Sequence, residues 1–393
     1  MSTNNVRLGI VGVGGMGTAH THYLVDMPGV ELVAVCDIDK ERADSAAERC
    51  KCAAYYDHLD MFAKANLDAV MIATPHYDHT TVSVNAFKHG LHVLSEKPLA
   101  VHVNDAQKSI DAYEATKAKN PNIVFAIMFQ LRTEGIYRKV KELIDDGELG
   151  RLTRMTWINT AWFRSQAYYD SGGWRASWAG EGGGILTNQC PHNLDLYQWL
   201  FGSPAKITGR ASLGKYHNIE VEDEVSAIFE HENGMVGHFI VTTAECPGTN
   251  RMEIIGENGK LVVENGKLVF YRNRQSMLKF CNETKTSFDI VENWYTEIPV
   301  PNVKDGHAVV TQRFINAIRN ETPNDLFAHG TEGIKSVTLA NGIMLSSFQG
   351  KTIDVPIDAD TFEVKLKELI ATSTYIKPGE EKKEIQDFKA SWK

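Results

Sequence analysis

A chain of 393 residues exceeds the ~250–300 residues that one hydrophobic core usually serves, so two domains are expected. With 43% apolar and 23% charged residues the composition is that of a globular protein, and a net charge of −9 disfavours nucleic acid or an anionic membrane, either of which favours a basic face. No apolar run approaches the ~20 residues that span a bilayer, Met1–Asn5 carries no signal pattern, and six scattered cysteines form no C-x-x-C pair; a reducing, cytoplasmic setting is expected.

The chain opens on an apolar strand, Val6–Val11, followed by Gly12-Val13-Gly14-Gly15-Met16-Gly17 and a helical stretch from Met16. A G-x-G-x-x-G turn between strand and helix is a dinucleotide fingerprint. Gly12 permits the tight turn, Gly14 lets backbone approach a pyrophosphate, and Gly17 allows helix and strand to pack closely. The helix N-terminus offers unpaired N–H groups to the anion. Asp37 ends the second strand, Val30–Cys36. Its carboxylate accepts both ribose hydroxyls of NAD and repels the 2′-phosphate of NADP. Lys40 and Arg42 lie close by, and a helix-capping acid is the plainer alternative. His20 and His22, in the first helix, read as structural.

Strands at Ala69–Ala73, His92–Leu94 and Ile123–Phe129 then alternate with helical patterns such as Val82–His89 and Val103–Lys117. This βαβ alternation predicts a parallel sheet, with ligands beyond the carboxyl ends of its strands. Thr74-Pro75-His76 and Glu96-Lys97-Pro98 fall at two such ends and point at the same crevice as the glycine turn.

A helix over Ile136–Asp146 bridges to a second unit with a different pattern. Leu152–Asn159, Lys206–Ser212, Glu224–Glu230, Met235–Thr243, Met252–Ile255, Lys260–Val263 and Lys267–Tyr271 read as strands, several separated by Asn-Gly turns. They predict a large, open, mostly antiparallel sheet whose bare face a second copy would cover. Helices return at His307–Arg319 and Thr331–Phe348. The expected division is a nucleotide-binding domain over 1–131, a substrate and oligomerisation domain over 132–357 whose C-terminal helices pack back, and a helix with a polar tail over 358–393. Ile376–Lys393 reads as a mobile tail or an arm on a neighbour.

Between these units lies Gly182-Gly183-Gly184-Ile185-Leu186-Thr187-Asn188-Gln189-Cys190-Pro191-His192-Asn193-Leu194-Asp195. Read as one helix, it places Asn188 and His192 on one face at i,i+4, with Asp195 a turn beyond. Upstream, Trp162-Phe163-Arg164-Ser165-Gln166-Ala167-Tyr168-Tyr169 and Trp174-Arg175 set aromatic faces among arginines and amides. That mixture suits a pyranose ring; an interface-packing loop is the bland alternative. Arg164, Tyr169, Trp174, Arg175 and Asn188 are the candidate substrate contacts, with His217 from the polar run Lys215–Asp223. Solvent on one side of a strand accounts for the acids of that run more cheaply than a metal, and no metal is expected.

Together these motifs resemble the Gfo/Idh/MocA family of NAD(P)-dependent sugar and polyol oxidoreductases. The matching residues are the glycine turn, Thr74-Pro75 with His79, Glu96-Lys97-Pro98-Leu99-Ala100, the Arg132 segment leading to Gly147-Glu148-Leu149-Gly150, Trp174-Arg175, and the glycine run with His192 and Asp195. The resemblance implies an α/β fold, a Rossmann domain plus a C-terminal α/β domain with an open sheet, in dimers or tetramers. It implies NAD bound by Gly12, Gly14, Gly15, Met16 and Asp37, and beyond them by Thr74, Pro75, His76, His79, Glu96 and Gln130. It also implies that Lys97 and His192 flank the reacting carbon. Many members carry Asp where this chain has Asn188, so a His–Asp relay through that position is absent here. Asn188→Asp is then a change that could raise activity. Asp195 is left either to orient His192 or to form a salt bridge elsewhere.

Oxidising an alcohol needs a base with a pKa near working pH. His192 starts near ~6.5 and needs little tuning, whereas Lys97 starts near ~10.4 and must be lowered by burial. His192 is therefore expected to be the principal base, with Lys97 orienting the oxygen or relaying the proton; the reverse assignment stays open. The expected reaction is reversible oxidation of a ring hydroxyl, C3 by preference, of a sugar or glycoside. An inositol or polyol dehydrogenase, a glycosidase working through transient C3 oxidation, and a nucleotide-sensing scaffold are the alternatives.

Overall fold

The computed structural model describes residues 5–301 and 306–377. Met1–Asn4 and residues 378–393, on which the N-terminal and tail expectations fall, lie outside the described residues. Six parallel strands, β1 (Val6–Val11), β2 (Val30–Cys36), β3 (Ala53–Tyr55), β4 (Ala69–Ile72), β5 (His92–Ser95) and β6 (Phe125–Ile127), form a sheet in the order β3-β2-β1-β4-β5-β6. This is a Rossmann sheet, with the chain reversing direction across it between β1 and β4. Both faces are buried. In β4, Ala69 and Met71 face one apolar core with Leu8 and Ile10, while Val70 and Ile72 face another with Val11 and Phe125. The period of two follows from strand geometry, and burial on both sides from the helices that cross between parallel strands.

Nine strands form the second sheet: β7 (Leu152–Asn159), β8 (Lys206–Leu213), β9 (Glu222–Glu230), β10 (Val236–Thr242), β11 (Asn250–Gly256), β12 (Gly259–Glu264), β13 (Lys267–Asn273), β14 (Asn293–Ile298) and β15 (Ile353–Asp354). Their order is β14-β13-β12-β11-β7-β10-β9-β8-β15, and among the described strands only β7 and β10 pair in parallel. One face carries Met155, Trp157, Val225, Phe229, Phe239 and Ile254 into a core shared with helices 191–201 and 333–349. The other face is open, with Ile228 and Ile240 exposed at its centre.

Late helices join the early sheet. Helix Gly306–Arg319 sends Val310, Phe314 and Ile315 into the core that holds Leu8 and Ile10. Helix Gly333–Gln349 contributes Val337 to the other core of the Rossmann sheet and Leu339, Ile343 and Met344 to the second sheet. Two sequence expectations need correcting. The segment 185–201 is not one helix: Ile185–Asn188 stops, the Cys190 N–H reaches back to Ile185 O, and a new helix runs Pro191–Phe201. Pro191 has no N–H to continue the ladder and suits a helix start. The acids Glu222 and Asp223 are fully buried rather than solvated: Asp223 accepts the backbone N–H of Lys215, Tyr216 and His217.

Candidate active site

At the end of β1, Gly12 takes φ +87, and a Cβ there would stand 2.6 Å from Ala73 O. A Cβ on Gly17 would fall 1.8 Å from Gly12 O, so helix and strand meet backbone to backbone. Gly14 differs: a Cβ there meets nothing within 4 Å. Two glycines thus shape the turn and the third leaves a cradle. Asp37 closes the turn from β2, its Oδ2 accepting the Val13 N–H and its Oδ1 the Asp39 N–H, both at 2.9 Å. The carboxylate is therefore fixed at the lip of the cradle, while Asp39 caps the following helix through the Arg42 N–H.

Beside it, the ends of β4 and β5 bring their motifs together. Thr74 has a buried hydroxyl with no protein partner. His79, expected at the cofactor, is instead a brace: its ring spans Pro98 O at 2.7 Å and Thr74 O at 2.9 Å and is 1% exposed. Glu96 is likewise engaged by the protein itself. Its Oε1 meets His20 Nε2 at 2.7 Å and its Oε2 accepts the Lys97 N–H at 3.2 Å. Burial alone would raise this carboxyl, but His20, His307 and Lys97 together hold it down to about 2. His20, structural by expectation, anchors the lysine motif. His76 is buried, with Nδ1 3.1 Å from Glu181 O and its ring against Trp174, so it backs the substrate wall. Pro75 is exposed at the rim.

Lys97 Nζ donates to the backbone carbonyl of Asn188 at 2.9 Å, which joins the lysine motif to the glycine-rich segment. Helix Pro191–Phe201 carries His192, whose Nε2 lies 3.2 Å from Gln130 Nε2. Gln130 Oε1 is buried without a protein partner. Burial, then the Lys97 charge, push His192 well below its ordinary value, so the ring is neutral. Burial also lowers Lys97, with Arg175 adding to it and Glu96 and Glu181 opposing. The expectation that His192 needs little tuning fails for that reason.

Asp195 does not orient His192. Both its oxygens are taken by Arg132, at 2.8 Å from Nε and 2.6 Å from Nη2, and Arg132 also pairs with Glu332 at 3.0 Å. This triad, buried at Arg132 and Asp195 and half-buried at Glu332, ties residues 130–133, helix 191–201 and residues 330–332 together.

The aromatic segment forms a wall. Tyr168 accepts hydrogen bonds from Arg175 Nη1 and Gln189 Nε2, both at 2.9 Å, and its ring lies under the guanidinium groups of Arg164 and Arg175. Arg175 also stacks over Trp174, 4.3 Å from the ring centroid. Tyr169, the tyrosine expected to touch substrate, turns the other way: it is 1% exposed and its hydroxyl meets Thr243. Neighbours on the short helix Gln166–Asp170 diverge by roughly 100° about its axis, so only one of the pair can face the crevice. Both ring nitrogens of His217 meet protein partners, Nδ1 3.0 Å from Asp223 Oδ2 and Nε2 2.9 Å from Arg164 O. The start of the tail belongs here too, because Lys377 Nζ donates to Arg175 O at 3.1 Å. Sequence reasoning passed over Gln189 and Glu181 as site residues, and weighed Tyr168 only within the aromatic segment and as an acid or base for the glycosidase alternative. The Trp-Ala-Gly-Glu run before the glycines was the available signal for Glu181, a lone acid entering a turn that proves buried. Among the described residues no three His, Cys, Asp or Glu side chains could hold a metal ion, and no helix is long and apolar enough to cross a membrane.

A Rossmann sheet with an open cradle at Gly14, a fixed acid at Asp37, an unpartnered buried hydroxyl on Thr74 and a lysine–histidine pair beyond the strand ends defines a dinucleotide-dependent oxidoreductase. Comparison agrees. A family model described as an oxidoreductase family, NAD-binding Rossmann fold, matches residues 6–121, and the GFO/IDH/MocA C-terminal domain model matches residues 137–262. The two take in more than half of the chain, which belongs to the GFO/IDH/MocA family and is an NAD-dependent oxidoreductase. It is 25% identical over 335 residues to scyllo-inositol 2-dehydrogenase (NAD(+)) of Bacillus subtilis, covering 81% of this chain and 88% of that one. It is 36% identical over 149 residues to inositol 2-dehydrogenase of Salmonella typhimurium, covering 37% and 43%. Its fold superposes on the WlbA dehydrogenase from Bordetella pertussis, solved with NADH and UDP-GlcNAcA, with a TM-score of 0.74 at 26% identity, over 90% of this chain and 100% of that one.

Proposed function

We propose that this chain oxidises a secondary ring hydroxyl of a sugar, glycoside or cyclic polyol to a ketone, reversibly, with C3 of a pyranoside as the preferred position. The observation that carries the reading is Lys97 Nζ held 2.9 Å from Asn188 O, between the strand ends and the His192 helix. NAD fits the cradle at Gly14–Met16, with Asp37 for its ribose and Thr74 and Gln130 toward its far end; when bound it supplies the hydride acceptor. Burial brings Lys97 down toward neutrality and takes His192 further from it. We take Lys97, lowered by burial and standing between the strand ends and the His192 helix, as the base, and His192 as a hydrogen-bonding partner of the substrate hydroxyl, the reverse of the order given by ordinary pKa values. Trp174, Arg175, Tyr168 and the Asn188 amide supply the stacking face and the hydroxyl partners. The inositol dehydrogenases among its relatives favour a cyclic polyol as the second substrate class. Six free cysteines suit a reducing cytoplasm, and the open sheet face around Ile228 and Ile240 suits a second copy of the chain.

The test is NADH formation by the purified protein across pyranosides, free sugars and inositols. Turnover with none of them, in protein whose bound nucleotide has been assayed after denaturation, refutes the proposal. Aglycone release without net NADH points instead to elimination after transient oxidation.

A further inference from the structure

Glu181 is 1% exposed and touches both walls of the substrate crevice. Its Oε2 accepts the Ala176 N–H at 2.7 Å, and its Oε1 accepts from the Asn188 side-chain amide. Its backbone N–H bonds Ser177 O at 2.9 Å, and its carbonyl faces His76 Nδ1. Ala176 is buried with φ +69, in the left-handed region that residues with a Cβ rarely adopt. Such a residue persists only where its surroundings over-determine it, and clusters at functional sites. Here it follows Trp174 and Arg175 directly, and the Glu181 carboxylate grips its N–H. On the other wall, the amide that Glu181 holds belongs to the residue whose backbone carbonyl receives Lys97.

We propose that Glu181 is the positioning carboxylate of the substrate site, fixing the Asn188 amide with its oxygen turned toward the substrate and holding the Ala176 turn that presents Trp174 and Arg175. It rests on the reading that a polyol or sugar binds between these walls. An amide has one donor end and one acceptor end. Since Nδ2–H is committed to Glu181, Oδ1 points away from it and is left to accept a substrate hydroxyl. A carboxylate thus stands at 181, one hydrogen bond behind residue 188. Asn188→Asp would then set two carboxylates in contact, inverting the expectation that it could raise activity. The charged and titratable groups around Glu181 are Arg175 at 3.9 Å, with Lys97, Lys377, Glu222 and Tyr169 behind it.

The experiment compares wild type, Glu181→Gln, Asn188→Asp and the double variant. In Glu181→Gln the new amide gives its oxygen to Ala176 and its N–H to Asn188, whose amide must either lose that bond or flip and turn its N–H toward the substrate. In the double variant the glutamine side chain at position 181 accepts from the Ala176 N–H and donates to the new carboxylate at position 188, which restores both bonds. Loss of one charge-assisted bond should raise KM about tenfold in Glu181→Gln, with a smaller change in kcat and unchanged NAD affinity. Asn188→Asp should show a KM that climbs with pH as its second carboxylate ionises, and the double variant should recover most of the loss and flatten that profile. Thermal unfolding of the same four proteins needs no substrate, so wild-type inactivity on every sugar would sink the functional reading while the contact is still tested. Full activity in Asn188→Asp, no recovery in the double variant, or recovery of melting temperature without recovery of KM would each overturn the positioning role.

Discussion

Gly14→Ala separates the fold from the cofactor more cleanly than any other change in this chain. The added methyl meets no atom within 4 Å, and the residue takes φ −67, which alanine adopts freely. Gly14 is the N-cap of helix Gly15–Leu24, where alanine is a poorer cap, so stability should fall by no more than about 1 kcal/mol. NAD affinity should respond very differently. The methyl stands in the space that a pyrophosphate needs to reach the helix N-terminus, and charge-assisted hydrogen bonds are worth about 1.5–3 kcal/mol each. Loss of one of them weakens binding by roughly 10- to 150-fold, a tenfold change being about 1.4 kcal/mol. Gly12→Ala and Gly17→Ala serve as the contrast, since their methyls strike Ala73 O at 2.6 Å and Gly12 O at 1.8 Å and must disturb the fold itself. Titration calorimetry with NAD, alongside thermal unfolding without it, reads both quantities. A Gly14→Ala protein that binds NAD as tightly as wild type would refute the placement of the cofactor in this cradle.

Lys97→Met and His192→Ala should each lower turnover by about 10²–10⁴ while NAD affinity stays near wild type, with the lysine variant the more damaged. Steady-state kinetics with separate NAD titration decide this, and a Lys97→Met enzyme with near-normal turnover would return the base to His192. Asp37→Ser should narrow the preference for NAD over NADP, measured by calorimetry; wild-type preference for NADP would remove the ribose role from Asp37. Glu222, which caps the turn at Gly184 and Leu186, is raised by burial from 4.5 to about 7. A raised folded-state pKa gives stability that is complete below the unfolded value and lost as pH rises through 7, about 3 kcal/mol in all. Urea unfolding from pH 4.5 to 8 should show that slope in wild type and not in Glu222→Gln; equal slopes in the two proteins would refute it.

Where local physics decides, the sequence was readable. Val6–Val11, Val103–Lys117 and Leu152–Asn159 were assigned to the residue, because burial on one or both faces writes its period into the chain. Edge strands were not legible. β14 is exposed along almost its whole length and β3 has three residues, so neither leaves an apolar rhythm to read. The glycine turn was visible because a tight strand-to-helix turn needs glycine at particular positions, whereas the pairing of Lys97 with His192 came from the family resemblance. The roles of the other histidines were not visible. His79 and His217 carry no sign in one dimension of the partners that the fold brings to them, Pro98 O, Asp223 and Arg164 O. The break at Pro191 was readable in principle, since proline opens helices more readily than it continues them.

The return of helix Gly306–Arg319 to the first sheet has a consequence for how this protein can be divided. Phe314 and Ile315 are fully buried in the same apolar layer as Leu8 and Ile10, although some 300 residues of chain lie between them. The nucleotide-binding half is therefore not a cassette that can be lifted out and grafted elsewhere. Cut free at residue 131, it would keep every glycine and acid of its cofactor turn and lose one wall of its own core. The last third of the chain thus completes the apolar core of the first.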